Sequence, residues 1–158
     1  MYFDALGVTD NAGYQQYEIS NVAKTGRHSR HNMKYWRYQN WIGFGCGAHS
    51  MLDGYRWKNM SEITIYIDAI ERRGAVAEGR RKLRTEELIG EAIFMGLRLN
   101  EGIDLHTFDE QYGVNLRTRF GPDLRPYMDQ GLLIDEEGRW RLSRKGMLLS
   151  NEVMRTFV

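Results

Sequence analysis

The clearest secondary-structure signals lie in residues 85–113, TEELIGEAIFMGLRLNEGIDLHTFDEQYG. Two acids directly after Thr85 stabilise the positive, N-terminal end of a helix. Asp104 is suited to cap a second, shorter helix, and Gly113 is suited to end it. The apolar positions of the first helix recur at helical spacing and predict one buried face: Leu88, Ile89, Ala92, Ile93 and Leu97.

The residues that follow predict a third helix, a hairpin and a last helix. Pro122 suits the first turn of the third helix. Residues 132–134 and 139–142 predict two short strands around a turn, and Ser143 begins one continuous last helix. Three helices followed by a two-stranded wing are typical of winged-helix proteins, which often bind DNA. Residues 81–158 have a net charge of −1, which favours a structural or docking role over DNA binding.

The first half of the chain has weaker patterns. Ser61 is suited to cap a helix whose Ile63, Tyr66, Ile67 and Ile70 predict one buried stripe. The other predicted segments are a short helix at Tyr2–Leu6, a strand at Tyr14–Ser20, an exposed connection at 21–33, a strand entering a glycine-rich turn at Trp41–Ala48, and a linker at 75–84.

Composition excludes several classes of protein. The 158 residues are 42% hydrophobic and 27% charged, with a net charge of +1. This length suits one ordinary domain or a small domain with part of a larger one, and the balance excludes a general polyanion binder. The single cysteine excludes a disulfide scaffold and a complete cysteine-based zinc or iron–sulfur site. No apolar run approaches the ~20 residues of a membrane span and no signal peptide is evident, so we expect a cytoplasmic protein.

The charges are unevenly distributed, because no acid lies between Glu18 and Asp53. Five cations, three histidines and many aromatic residues fill this interval. Such a stretch suits a flat, anionic ligand. The alternative is a loop-and-strand segment with solvated cations over an aromatic core. The cations and histidines are Lys24, Arg27, Arg30, Lys34, Arg37, His28, His31 and His49.

Several strings together resemble the C-terminal portion of the HemW-type haem chaperones. These are radical-SAM proteins similar to the oxygen-independent coproporphyrinogen III oxidases. The His-Asn-x-x-Tyr-Trp string is the most specific element, and the resemblance extends from about Gln15 to the end. The strings are QYEISN (16–21), SRHNMKYW (29–36), IGFGCGAHS (42–50), RWKN (56–59), GLRLNEGID (96–104) and LLSNEV (148–153).

The resemblance implies an α+β fold. Residues 1–80 would hold the last strand or strands and a helix of a partial (β/α) radical-SAM barrel, and residues 81–158 a winged-helix-like C-terminal domain. The family's CxxxCxxC loop binds a four-iron four-sulfur cluster and leaves one iron open for S-adenosylmethionine. Since this chain has only Cys46, the resemblance implies that both groups belong to a longer parent, that the chain is a fragment, and that it is inactive alone.

The resemblance also implies a haem-binding string. His31 would be an axial ligand of haem iron, a role that imidazole commonly has. Arg30 and Lys34 would pair with the propionates, and Tyr35 and Trp36 would pack against the macrocycle. The competing interpretation is that the His-Asn pair hydrogen-bonds and shapes a loop.

A second set of residues would lie near S-adenosylmethionine in a complete protein: Gly43, Gly45, Gly47, Ala48 and His49. The alternative there is close strand packing. Cys46 stands where the family usually has proline; it could ligate haem, react as a thiol or, as we favour, be a small buried apolar residue. Glu18, on a predicted strand, needs a partner or solvent if it faces inward.

Three functions compete. The favoured one is part of a chaperone that binds haem or porphyrin and delivers haem to haemoproteins. The second is part of an oxidase that decarboxylates coproporphyrinogen III, and the third is a winged-helix nucleic-acid binder. Barrel strands without their neighbours expose an edge, so we expect association with the missing N-terminal barrel or between copies of the chain.

Overall fold

A computed structural model describes residues 1–157 and shows mixed α and β structure. The helices are α1 Tyr2–Asn11, α2 Arg30–Trp36, α3 Ile63–Glu71, α4 Thr85–Gly96, α5 Leu105–Tyr112, α6 Leu116–Asp129, α7 Arg144–Leu148 and α8 Ser150–Met154, followed by a 3-10 turn at Arg155–Phe157. The strands are β1 Gln15–Glu18, β2 Asn21–Ala23, β3 His49–Leu52, β4 Tyr55–Asn59, β5 Ala77–Lys82, β6 Ile103–Asp104, β7 Leu133–Glu136 and β8 Arg139–Leu142.

The chain divides into two compact units. The larger comprises residues 1–38 and the chain from residue 89 onward, and the smaller comprises residues 39–88. The larger unit contains the β1–β2 hairpin and a sheet of order β6-β8-β7. The smaller unit contains a sheet of order β3-β4-β5. All strand pairs are antiparallel.

The predicted helices over residues 85–113 are confirmed. Ile93 on α4 and Leu97 directly after its end are fully buried, and each such side chain contributes roughly 1.5–3 kcal/mol by leaving water. The Asp104 carboxylate accepts the Thr107 N–H at 2.9 Å, which holds the pKa of Asp104 below its ordinary value. Gly113 ends α5 in the left-handed conformation, with φ 65°.

The predicted hairpin is also confirmed as β7 and β8. Its turn residues Glu137 and Gly138 both have positive φ, as a two-residue hairpin turn of this kind requires. Trp140 on β8 is fully buried. Arg117 hydrogen-bonds Asp135 on β7 and lowers the pKa of that carboxyl.

Two predictions about the later helices are wrong. The helix expected to begin near Pro122 begins at Leu116, because the Asn115 side chain accepts the Thr118 N–H and caps it there. Pro122 therefore lies inside α6. The last helix does start after Ser143 but is split into α7 and α8 at Leu149, whose backbone leaves helical geometry.

The predicted exposed connection over residues 21–33 is wrong as well. Asn21–Ala23 pair with β1 as strand β2. Ser29 then caps α2 by accepting the Asn32 N–H at 3.3 Å. Elements of three and seven residues are too short to show a hydrophobic period.

The smaller unit departs most from prediction. The expected linker at 75–84 contains strand β5, all six residues of which are exposed, so it shows no apolar alternation. Of the strand and glycine-rich turn expected at Trp41–Ala48, the turn is present, but the strand is reduced to a bridge between Trp41 and Met51, and regular pairing begins at His49.

Helix α3 lies where the sequence predicts it, but a different residue caps it and its isoleucines are not buried. Glu62, rather than Ser61, accepts the Thr64 hydroxyl and the N–H groups of Thr64 and Ile65, which lowers the pKa of Glu62. The isoleucines of the predicted buried stripe are exposed, with Ile63 and Ile70 61% and 52% accessible, and Tyr66 is half-buried.

Candidate functional site

Helix α2 brings the predicted haem-binding side chains together in the larger unit. His31 is exposed, and its ring meets the Tyr35 ring edge-on at 4.9 Å, one helical turn away. Arg30 and Lys34 are exposed and also one turn apart. Within residues 1–157 no carboxylate forms an ion pair with either of these two cations. The helix therefore presents an imidazole, an aromatic edge and two available positive charges.

Trp36, at the end of α2, is attached to the rest of the unit. Its ring is half-buried, and the Arg98 guanidinium lies 4.4 Å from its centroid. A cation so placed is attracted by the negative face of the ring. Its indole N–H is buried and has no hydrogen-bond partner among the described residues.

Arg98 also pairs with Glu18, which answers the need of that carboxylate for a partner. Glu18 is fully buried, and Arg98 Nη2 lies 3.0 Å from its Oε2. The Ser20 N–H and the Asn21 side-chain amide donate to Oε1 at 2.8 and 2.5 Å. Sequence patterns predict no role for Arg98, and its one signal is its place in the string at 96–104.

Both ends of α2 have further contacts within the unit. Before the helix, the His28 ring stacks on the buried Tyr17 ring at 4.5 Å. After it, Arg37 pairs with Glu101 at 3.1 Å. The next residue, Tyr38, is buried and donates its hydroxyl to Glu91 at 2.6 Å.

The predicted glycine string forms a loop in the smaller unit that leads into β3. Two buried polar side chains hold it: Ser50 Oγ accepts the Gly43 N–H at 2.9 Å, and the Asn59 amide donates to the carbonyls of Gly43 and Gly45 at 3.3 and 2.9 Å. The Gly47 N–H donates to the Met60 carbonyl at 2.8 Å. Ser50 and Asn59 are thus the residues that shape this loop.

The glycines are required for different reasons. A Cβ on Gly43 would collide with the His49 carbonyl oxygen, whereas Gly45 and Gly47 have φ of 95° and 68°, which side chains rarely adopt. Ala48 is half-buried and His49 is exposed. Cys46 is exposed too, so the interpretation of it as a small buried residue is wrong.

The two groups of predicted site residues lie in different units. Among residues 1–157 no three His, Cys, Asp or Glu side chains converge as a metal site. The lone cysteine of the sequence cannot supply the three thiolates of an iron–sulfur cluster. None of the described helices has the length and apolar character needed to cross a membrane.

Replacing Asn59 with alanine is expected to loosen the glycine loop by about 1–3 kcal/mol, because two carbonyls lose their buried donor. The exposed Phe44 makes this measurable, since chymotrypsin cleavage after Phe44 should become faster. Ser61→Ala is the matched control, because Ser61 is exposed and its hydroxyl accepts a hydrogen bond from the Lys58 side chain rather than holding the glycine loop. Equal cleavage rates in the two variants would contradict the role given to Asn59.

Comparison with known proteins shows which fold this is. Residues 83–149 match the HemN C-terminal domain family. A solved structure of coproporphyrinogen III oxidase (HemN) from Escherichia coli, described as a radical SAM enzyme, superposes with a TM-score of 0.76. The matched region covers 98% of this chain and 39% of the HemN chain, and the two sequences are 18% identical. At this level of identity, the similarity establishes the fold alone. The fold is therefore that of the C-terminal region of HemN-like proteins.

The curated relatives of this chain include heme chaperones. The heme chaperone HemW of Bacillus subtilis is 37% identical over 158 residues, which are all of this chain and 42% of that protein. HemW of Lactococcus lactis is 29% identical over 100% of the chain and 41% of that protein. The mitochondrial radical S-adenosyl methionine domain-containing protein 1 of Danio rerio is 34% identical over 100% of the chain and 38% of its own length.

These findings confirm the resemblance to the C-terminal portion of HemW-type haem chaperones. The chain spans about two fifths of the length of the curated relatives it matches.

Proposed function

We propose that this chain carries the haem-binding portion of a haem chaperone, and that His31 ligates the iron of the haem cargo. The observation that carries the proposal is the exposed imidazole on one short, anchored helix beside Arg30 and Lys34, two cations that pair with no carboxylate among residues 1–157. The residues fit the ligand, because imidazole binds haem iron and cations pair with propionates. Arg30 and Lys34 take the propionates, and Tyr35 supplies an aromatic surface beside His31. Trp36, predicted to pack against the macrocycle, lies half-buried under Arg98 on another side of the helix.

Substituting His31 with alanine should abolish the Soret shift that the 158-residue chain produces when titrated with haem. The matched control is His106→Ala, because His106 is also an exposed helical histidine, beside Glu110 on α5. His106→Ala should leave the shift unchanged. An unchanged shift in His31→Ala would remove His31 as the ligand.

Delivery of haem to acceptor haemoproteins completes the proposal. It rests on the names of the curated relatives, which also favour it over the oxidase alternative. Nucleic-acid binding is disfavoured by charge pairing on α6, where Arg117 binds Asp135 and Arg125 binds Asp129.

The finer architecture belongs to the same proposal. We assign residues 1–80 to a partial (β/α) radical-SAM barrel and residues 81–158 to a winged-helix-like domain, supported by the succession α4, α5, α6 and the β7–β8 hairpin. The iron–sulfur cluster and S-adenosylmethionine would be bound by residues of a longer protein. In that longer protein, S-adenosylmethionine would lie beside the loop formed by Gly43, Gly45, Gly47, Ala48 and His49. We expect that protein to be cytoplasmic.

The chain is expected to associate, with barrel residues of a longer protein or with a second copy of itself. Strand β5 is exposed along its length, and α3 exposes its isoleucines. Analytical ultracentrifugation of the isolated chain should therefore show species larger than a monomer. A single monomeric species across the concentration range would contradict this.

A further inference from the structure

We propose that Glu18 and Arg98 are positioning residues that hold α2 by Trp36 and so fix the face on which His31 receives haem. The inference rests on the proposed function. It adds two residues, one on β1 and one beyond the end of α4, that do not themselves touch the ligand.

Glu18 provides a fixed, buried anchor. Its carboxylate is fully buried and receives donors from Arg98, the Ser20 N–H and the Asn21 amide. A buried charge is tolerated only when it is paired and hydrogen-bonded in this way. The buried Glu18 carboxylate therefore holds Arg98 in one fixed position.

Arg98 is held by its own backbone as well. The Ile19 N–H donates to the Arg98 carbonyl at 3.1 Å, and Glu18 forms a bridge with Leu99. Its guanidinium makes the fork to Glu18 and at the same time lies over the Trp36 ring at 4.4 Å. A planar guanidinium can donate hydrogen bonds in its plane while its face lies on the ring, a geometry that an ammonium lacks.

The contact between Arg98 and Trp36 determines which side of α2 faces outward. His31 and Trp36 are five residues apart, which places them roughly 140° apart around the axis. A helix of seven residues has little stability of its own, so its rotation is set by such contacts. Fixing Trp36 inward therefore keeps His31 outward.

The test removes the grip without leaving a buried charge alone. In the double variant Glu18→Gln with Arg98→Met, the glutamine carbonyl oxygen still accepts from Ser20 and Asn21, and the cation over Trp36 is lost. We expect haem to bind about tenfold more weakly, and we expect the Soret shift at sub-saturating haem to be smaller than that of the wild type, whereas His31→Ala abolishes it. Trp36→Leu should reproduce both changes, and Trp36→Phe, which keeps an aromatic face, should restore the wild-type shift.

The control pair is Asp10→Asn with Arg144→Met, which removes another ion pair between distant parts of the unit and should leave the haem spectrum unchanged. If His31→Ala alters the Soret band while the double variant and Trp36→Leu bind haem as the wild type does, the inference is overturned and the proposed function survives. If His31→Ala has no effect, both fail. Should the double variant not fold, the contrast between Trp36→Leu and Trp36→Phe decides.

Discussion

Replacing Arg98 with alanine is expected to lower the free energy of unfolding by about 3–5 kcal/mol, the usual effect of breaking a buried ion pair from one side. The substitution leaves the fully buried Glu18 carboxylate without its counter-ion. It also removes the cation over Trp36. Urea unfolding followed by far-UV circular dichroism measures the effect.

The double variant Glu18→Gln with Arg98→Met separates charge burial from packing. Because neither partner is charged, it should recover most of the stability lost in Arg98→Ala. A double variant as unstable as Arg98→Ala would mean that the pair matters through its shape. A stable Arg98→Ala would mean that Glu18 is not held as a buried anion.

Gly102→Ala is the second substitution with a large expected effect. Gly102 has φ 63°, and a Cβ there would collide with the backbone carbonyl of Trp140. The left-handed conformation and the overpacking together should lower the free energy of unfolding by about 2–5 kcal/mol. The collision falls where β6 meets β8, so the sheet itself must shift to relieve it.

Gly113→Ala is the matched control. Its φ of 65° is nearly the same, yet among the described residues no heavy atom beyond the two chain neighbours lies within 4 Å of the added Cβ. The control should therefore show only the conformational penalty of about 1–2 kcal/mol. The difference between the two unfolding midpoints measures the collision, and equal midpoints would show that β6 and β8 relax without loss.

The accuracy of the sequence predictions follows the length and punctuation of each element. Helices α4 and α5 and the β7–β8 hairpin were predictable because periodic apolar residues meet clear signals such as Asp104 and Gly113. Strand β5 and helix α2 were missed, since one is wholly exposed and the other has seven residues. Proline at 122 gave a false start, because the Asn115 cap acts earlier.

The candidate site was predictable only in its local part. Neighbouring residues on α2 carry a recognisable string, so Arg30, His31 and Lys34 could be named together. The pairing of Glu18 with Arg98 joins positions 80 residues apart and has no periodic signature. The exposure of α3 was likewise hidden, because an amphipathic pattern states that a face is apolar without stating what covers it.

The shortness of α2 has a consequence for how haem would be held and handed over. A peptide of eight residues spanning Ser29–Trp36 would be disordered in water, so the ligand string could not be transplanted as a free-standing module. On the proposed function, haem therefore binds the ordered larger unit and stabilises it by mass action. Transfer to an acceptor removes that stabilisation, so the chain without haem is easier to unfold than the chain with haem. The melting temperature of the chain therefore reports whether haem is bound.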